Sequence, residues 1–369
     1  MFLSIRSVST CLLIGFSSLL LSAVPSPKPG DTLLATALQP YGRTVVNEQG
    51  QLELISSAAH VGFSFEGTEC QLLAVLPAGQ HHNYLQYELD GVYQQRLRVL
   101  GTQPAPLVIR ASRAGKHTVW IYKATEAHTG AIAIAQITGH HLQALPNPKA
   151  PLIEFIGNSI TCGAAADPSE VPCGSGEYHD QHNAYQAYGP RVARALHANF
   201  VLSSVSGIGI YRTWNSDGPT MPQVYEKLDF QAQSLRQWNF ATYSPRVVSI
   251  ALGTNDLSAG DGKSPRLPFD STRYVSTYLQ FIKLVKSKYP QARIALLSSP
   301  MASGSNRVLL QRCLTAVQQR TNAAYPSALP VATYFFQPMQ ARGCSGHPNV
   351  EDHAILAKEL EPFFQKLLR

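Results

Sequence analysis

The sequence predicts two domains in a chain of 369 residues: an N-terminal β-sandwich of the jelly-roll kind, then a three-layer α/β/α domain on a parallel sheet. Three observations carry this. Residues 35–147 alternate apolar and polar positions between turn signals, with no helical pattern. Pro146, Pro148 and Pro151 then make a stiff, extended connector that cannot continue a strand ladder. Beyond it, short apolar runs alternate with helical stretches, as a parallel sheet covered on both faces requires.

The elements follow in chain order. Arg6 precedes the apolar run Cys11–Phe16 and the stretch Leu19–Ala23, which ends in small residues. That is the pattern of a secretory signal over residues 1–23, cleaved after Ala23, and it places the protein outside the cell or in a periplasm. A membrane anchor fits less well, because Ser17 and Ser18 interrupt a run already short for spanning, and no membrane association is expected after cleavage. Residues 24–34 read as a linker. In the sandwich domain, Val61, Phe63 and Phe65 alternate in one strand, and Leu85, Tyr87 and Leu89 alternate in another that ends at the turn pair Asp90-Gly91. Residues 117–122 and 131–134 supply two more strands. In the domain over 148–369, strands are expected at 152–156, 199–204, 246–252, 292–298 and 330–335. Helices are expected near 183–197, 270–288, 305–320 and 350–368.

Composition narrows the partners. The net charge is +7, yet no two Lys or Arg residues are adjacent, so the basic clusters of nucleic-acid binders are missing and the charge reads as a solvated surface. Export implies an oxidising compartment for Cys70, Cys162, Cys173, Cys313 and Cys344. Cys162 and Cys173 lie close together and are the expected bridge, with Cys313–Cys344 a possible second; the alternative is packed thiols. No Cys or His ligands repeat at zinc-like spacing, so no metal is expected.

Ligands of a parallel α/β sheet bind beyond the carboxyl ends of its strands, and four such ends here carry chemistry. The apolar strand 152–156 runs into Gly157-Asn158-Ser159, presenting a serine where a base can reach it, although the same three residues also favour an ordinary turn. After strand 199–204, Gly207 offers a backbone N–H for close approach to an oxyanion. After strand 246–252, Asn255 can aim its amide at the same point, while Asp256 suits the anchoring of its loop. His347, in a loop just before the last helix, is the candidate base. Trp214, past Gly207, is either an exposed platform for a sugar ring or buried between domains.

The four strand ends, in this order, resemble those of the SGNH hydrolases, a branch of the GDSL esterases. Gly157-Asn158-Ser159-Ile160, Gly207, Gly253-Thr254-Asn255-Asp256 and His347-Pro348 stand at the four blocks. With a jelly roll ahead of that domain, the chain further resembles carbohydrate esterase family 2. Tyr41-Gly42-Arg43, Phe63–Gly67, Lys123-Ala124-Thr125-Glu126 and Gly218–Pro222 support this. The resemblance implies an acetyl xylan esterase-like enzyme that removes acetyl groups, often from a 6-hydroxyl, on plant polysaccharides or oligosaccharides. In it Ser159 is the nucleophile and His347 the base, the oxyanion is held by Ser159 N–H, Gly207 N–H and Asn255, and no cofactor is needed. Two alternatives stay open: an esterase for peptidoglycan O-acetyl groups or lipids, and a glycan-binding protein with a weak site. Two departures matter. Gly-Asn-Ser replaces the usual Gly-Asp-Ser, and the acid expected two or three residues before the histidine is replaced by Ser345 and Cys344. A Ser–His dyad, its imidazole oriented by a backbone carbonyl, is therefore expected, with Asp352 and His353 capping or packing.

Overall fold

A computed structural model describes residues 31–101, 105–215, 217–263 and 266–369. The signal over 1–23 and most of the linker lie outside the described residues. The last linker residues, Asp31–Leu34, form strand β1.

The N-terminal domain is an eight-stranded antiparallel sheet. Its strands are β1, β2 (Thr44–Val46), β3 (Leu52–Leu54), β4 (His60–Val75), β5 (His82–Leu89), β6 (Val92–Leu100), β7 (Leu107–Lys123) and β8 (Ile132–Ala144). The order is β2-β3-β8-β4-β7-β5-β6, with β1 on β8. The long strands β4 and β7 pair through most of their length, and a register shift between Gly67 and Glu69 bends them. The predicted alternation is real: Val61, Phe63 and Phe65 of β4 are wholly buried against Val119 and Ile121 of β7 in one apolar core. Asp90 and Gly91 both take left-handed φ, +51° and +80°, making the tight turn that joins β5 to β6.

The second domain holds five parallel strands: β9 (Leu152–Gly157), β10 (Asn199–Ser204), β11 (Val247–Ala251), β12 (Arg293–Leu297) and β13 (Ala332–Tyr334). Its helices are α1 (Ser159–Cys162), α2 (Tyr188–Ala195), α3 (Met221–Val224), α4 (Thr254–Leu257), α5 (Ser271–Lys288), α6 (Gly304–Ala324) and α7 (Val350–Leu368). Strand side chains alternate between two cores. Ile156, Val248, Ile250, Ile294 and Leu296 pack with α5 and α6 on one face. Ile153, Phe155, Val247, Ala295 and Leu297 pack with α2 and α7 on the other. Strands apolar on both sides are what a sheet between two helical layers needs. The order β10-β9-β11-β12-β13 reverses direction at β9, so the crevice beyond β9 is the topological switch point.

The cysteine pairing differs from the expectation. The bridge is Cys173–Cys344, with Cα atoms 5.2 Å apart, and neither Cys162–Cys173 nor Cys313–Cys344 forms. Cys162 lies in α1 with its thiol turned inward, 3.1 Å from Ser204 Oγ, and Cys313 packs into the core from the buried face of α6. Closeness in sequence does not decide a bridge when one thiol points into the domain.

Candidate active site

The end of β9 is built for a sharp turn. At Gly157 a Cβ would stand 2.0 Å from Thr161 Oγ1, so only glycine fits. Asn158 caps α1, its side-chain oxygen accepting from Ile160 N at 3.1 Å, and Gly163 closes this single turn in a left-handed conformation. The asparagine thus does the turn-forming work its side chain allows. Ser159 is the first residue of α1, 8% exposed at the floor of a hollow of about 490 Å³. Gly207, Trp214, Asn255 and His347 line the same hollow, so the sequence-predicted site residues do come together.

His347 Nε2 lies 2.9 Å from Ser159 Oγ. Its Nδ1 lies 3.1 Å from the carbonyl oxygen of Ser345, which fixes the tautomer with Nδ1–H donating and the Nε2 lone pair facing the serine hydroxyl. The acid absent from the sequence is replaced by a main-chain acceptor. Ser345 reaches this position in a left-handed conformation, φ +51° and ψ +34°, rare for a residue with a side chain. The strain is held from both sides: Cys344 N donates to Ala165 O at 2.9 Å, Gly343 N donates to His347 O at 2.8 Å, and the Cys173 bridge ties down Cys344. Burial lowers the His347 pKa below the ordinary 6.5, with main-chain hydrogen bonds acting the other way. Asp352 instead completes a capping box with Asn349 and pairs with Arg342, and His353 is fully buried, accepting from Tyr188 N at 3.3 Å.

Gly207 takes φ +75°, and a Cβ there would meet Trp214 Cδ1 at 3.0 Å, so this turn against Trp214 favours glycine and leaves the backbone bare beside the hollow. Asn255 gives one amide hydrogen to Ile208 O at 2.8 Å, which aligns the side chain while it borders the hollow. Asp256 is wholly buried and accepts from Ile210 N at 3.0 Å and Tyr211 N at 2.9 Å, so it anchors the Gly207 loop. Burial pushes its pKa up to about 6 against those hydrogen bonds. Trp214 is 44% exposed on the wall of the hollow.

One further residue was not singled out by sequence reasoning. Glu126, in the loop between β7 and β8 of the N-terminal domain, is 1% exposed. Ser206 N and Ser206 Oγ each donate to its carboxylate at 2.6 Å, and His182 Nε2 lies 3.1 Å away. Burial alone would raise its pKa, but the hydrogen bonds from His182 and Ser206 outweigh that and hold it near about 2. Glu126 therefore clamps the residue directly before Gly207. Its stretch, Lys123-Ala124-Thr125-Glu126, was visible in the sequence, but the contact crosses domains and no local pattern encodes it.

A hydroxyl–imidazole pair over the switch point of a parallel sheet, in a hollow also lined by Gly207 and Asn255, is the site of a carboxylic ester hydrolase. The model of the GDSL-like lipase/acylhydrolase family matches residues 155–350, and that of the carbohydrate esterase 2 N-terminal domain matches residues 41–148. The chain belongs to the GDSL-like hydrolases and, with this N-terminal domain, to carbohydrate esterase family 2. An acetylxylan esterase/glucomannan deacetylase of Cellvibrio japonicus is 25% identical over 335 residues, 90% of this chain and 89% of that protein. The cellulase/esterase CelE of Acetivibrio thermocellus is 29% identical over 82% of this chain, which spans 36% of that larger protein. Among solved structures, a family two carbohydrate esterase from Clostridium thermocellum in complex with cellohexaose superposes with a TM-score of 0.78 at 26% identity, covering 92% of this chain and 99% of that one. A family two carbohydrate esterase from Cellvibrio japonicus gives a TM-score of 0.78 at 25% identity, covering 92% and 98%.

Proposed function

We propose that this protein is an exported carbohydrate O-acetyl esterase that hydrolyses acetyl esters on plant-type polysaccharides or oligosaccharides, with the 6-hydroxyl ester as preferred substrate. The observation that carries the reading is the 2.9 Å contact between His347 Nε2 and Ser159 Oγ inside a hollow walled by a tryptophan. Ser159 Oγ attacks the acetyl carbonyl as His347 Nε2 takes its proton. The carbonyl oxygen gains negative charge at a point served by the N–H groups of Ser159 and Gly207 and by the remaining Asn255 amide hydrogen. The tetrahedral species collapses, His347 returns the proton to the departing sugar oxygen, and an acetyl-enzyme remains. Water deprotonated by His347 then releases acetate and restores the serine. The Ser345 carbonyl holds the imidazole and accepts from its cation, standing in for a carboxylate. No cofactor takes part in this scheme.

Trp214 supplies an apolar face against which a pyranose ring can stack. The relatives' printed activities, on acetylated xylan and glucomannan, support the substrate class. The signal-like N-terminus and a disulfide support export. The test is acetate release from acetylated xylan, glucomannan and 4-nitrophenyl acetate by wild type and Ser159→Ala. Wild type should act on all three and the variant on none. Equal inertness of both proteins would remove the esterase reading, and activity on the aryl ester alone would remove the carbohydrate one. Trp214→Ala should weaken action on oligosaccharide while leaving the aryl acetate nearly untouched.

A further inference from the structure

At the seam between the domains, three acceptor atoms converge. His82, at the start of β5, is buried with its Nε2 2.5 Å from Asp180 Oδ1. His179 Nε2 lies 3.2 Å from the carbonyl oxygen of His82. A carboxylate and a carbonyl can only accept, so both Nε2 atoms carry hydrogen and, in the neutral rings, both Nδ1 atoms present lone pairs. Those lone pairs face the carboxylate of Glu177, His82 Nδ1 at 3.8 Å from Oε1 and His179 Nδ1 at 3.6 Å from Oε2. Both separations exceed hydrogen-bonding distance. The ligand atoms of the three residues all lie within 4.8 Å of one another. Three electron-rich atoms around one point repel unless a cation sits between them.

The outer partners are those a metal-binding imidazole requires. One histidine is oriented by a carboxylate and the other by a main-chain carbonyl, the two devices that fix tautomer and ring direction in metal sites. Tetrahedral zinc places neighbouring ligand atoms about 3.3 Å apart, given bonds of about 2.0 Å. The imidazole–carboxylate separations of 3.8 and 3.6 Å, within a set spanning up to 4.8 Å, mean that both rings and the half-exposed Glu177 draw inward as the metal binds. We propose that His82, Glu177 and His179 form a binding site for a divalent transition metal, zinc by preference, with water in the fourth position. Spacing along the chain hides it, because β5 and the segment after Cys173 contribute from different domains.

The site has a consequence for the hollow. Tyr178, between Glu177 and His179, lines the hollow and lies 3.2 Å from Ser206 Oγ through its hydroxyl. The same segment begins at Cys173, whose bridge reaches the His347 loop. A metal here fixes this wall of the hollow to the N-terminal domain.

The probe is Zn²⁺ alone, titrated calorimetrically into chelator-treated full-length protein, so the readout does not depend on esterase activity. One tight equivalent is expected, and hydrogen exchange over 173–182 should slow when it binds. Glu177→Gln changes a half-exposed side chain and keeps an oxygen for the backbone N–H that Glu177 caps; it should weaken binding at least about 10-fold. His179→Gln should do the same, while His140→Gln, an exposed residue of β8 outside the cluster, should not. Zinc binding undiminished in both ligand variants would overturn the proposal. So would an absence of binding below about 100 μM, which would assign the cluster to shared protons.

Discussion

His347 has to be neutral to take the serine proton, so its lowered pKa sets the acid limit of the reaction. Below that pKa the imidazole is protonated and the base is lost. The acidic limb of kcat/KM should therefore fall at a pH below the ordinary imidazole value of 6.5, and a limb at or above 6.5 would contradict the burial seen here. Glu126 bears on the same limb, because its negative charge raises the His347 pKa. Glu126→Gln removes that charge and one acceptor for Ser206, while keeping the shape. We expect kcat on 4-nitrophenyl acetate to fall about 10–100-fold, less than direct loss of an oxyanion donor, with KM nearly unchanged. The acidic limb should also move to lower pH. A residue that only stabilised the fold would leave both the limb and the kcat-against-KM split as they were.

At the scale of elements, most of the catalytic domain was legible in the sequence. The runs 152–156, 199–204 and 350–368 return as β9, β10 and α7 with boundaries shifted by one residue at most. Gly157, Gly207 and Asn255 were readable because each sits where a strand ends and local turn chemistry is strict. The unread parts are contacts between segments remote in sequence. Cys173 meets Cys344 only because the long loop after α1 folds back over the His347 loop, a fact of tertiary packing. The bridge closes 171 residues, worth about 5 kcal/mol in the chain-entropy picture. Because it also holds the strained Ser345 turn, Cys173→Ser with Cys344→Ser should cost about 2–5 kcal/mol of stability and lower kcat as well. A thermal scan with an unchanged midpoint, or full activity in the double variant, would show that other contacts suffice.

For the whole molecule, the N-terminal domain is a structural part of the catalytic one. Arg43, just before β2, is wholly buried, and its guanidinium donates to Tyr225 O at 2.8 Å and to Lys227 O. It lies over the Phe230 ring at 3.9 Å and offsets the charge of Glu154 in the middle of β9. Glu154 accepts from Ser203 Oγ at 2.6 Å and Tyr225 OH at 3.0 Å, yet burial raises its pKa, with Arg43 acting against that rise. Arg43→Met keeps the volume and strands a buried carboxylate under the sheet. Arg43 reaches Glu154 through Ser203 Oγ and not by direct contact, so the loss should be below the roughly 3–5 kcal/mol of a broken direct buried pair. Arg43→Met with Glu154→Gln should recover a good part of that loss, since the second change removes the unpaired charge. The direction with pH is fixed too. A carboxylate whose folded pKa is raised destabilises the fold when ionised, so the single-variant penalty should be largest near neutral pH and shrink as acid protonates Glu154. Urea unfolding of the four proteins of this cycle at pH 7 and pH 5 measures both effects. The same contact implies that residues 148–369 expressed alone carry Glu154 without its cation and Ser206 without Glu126. That fragment should be unstable and inactive, and a soluble fragment with wild-type kcat would refute the reading of the N-terminal domain as part of the active enzyme.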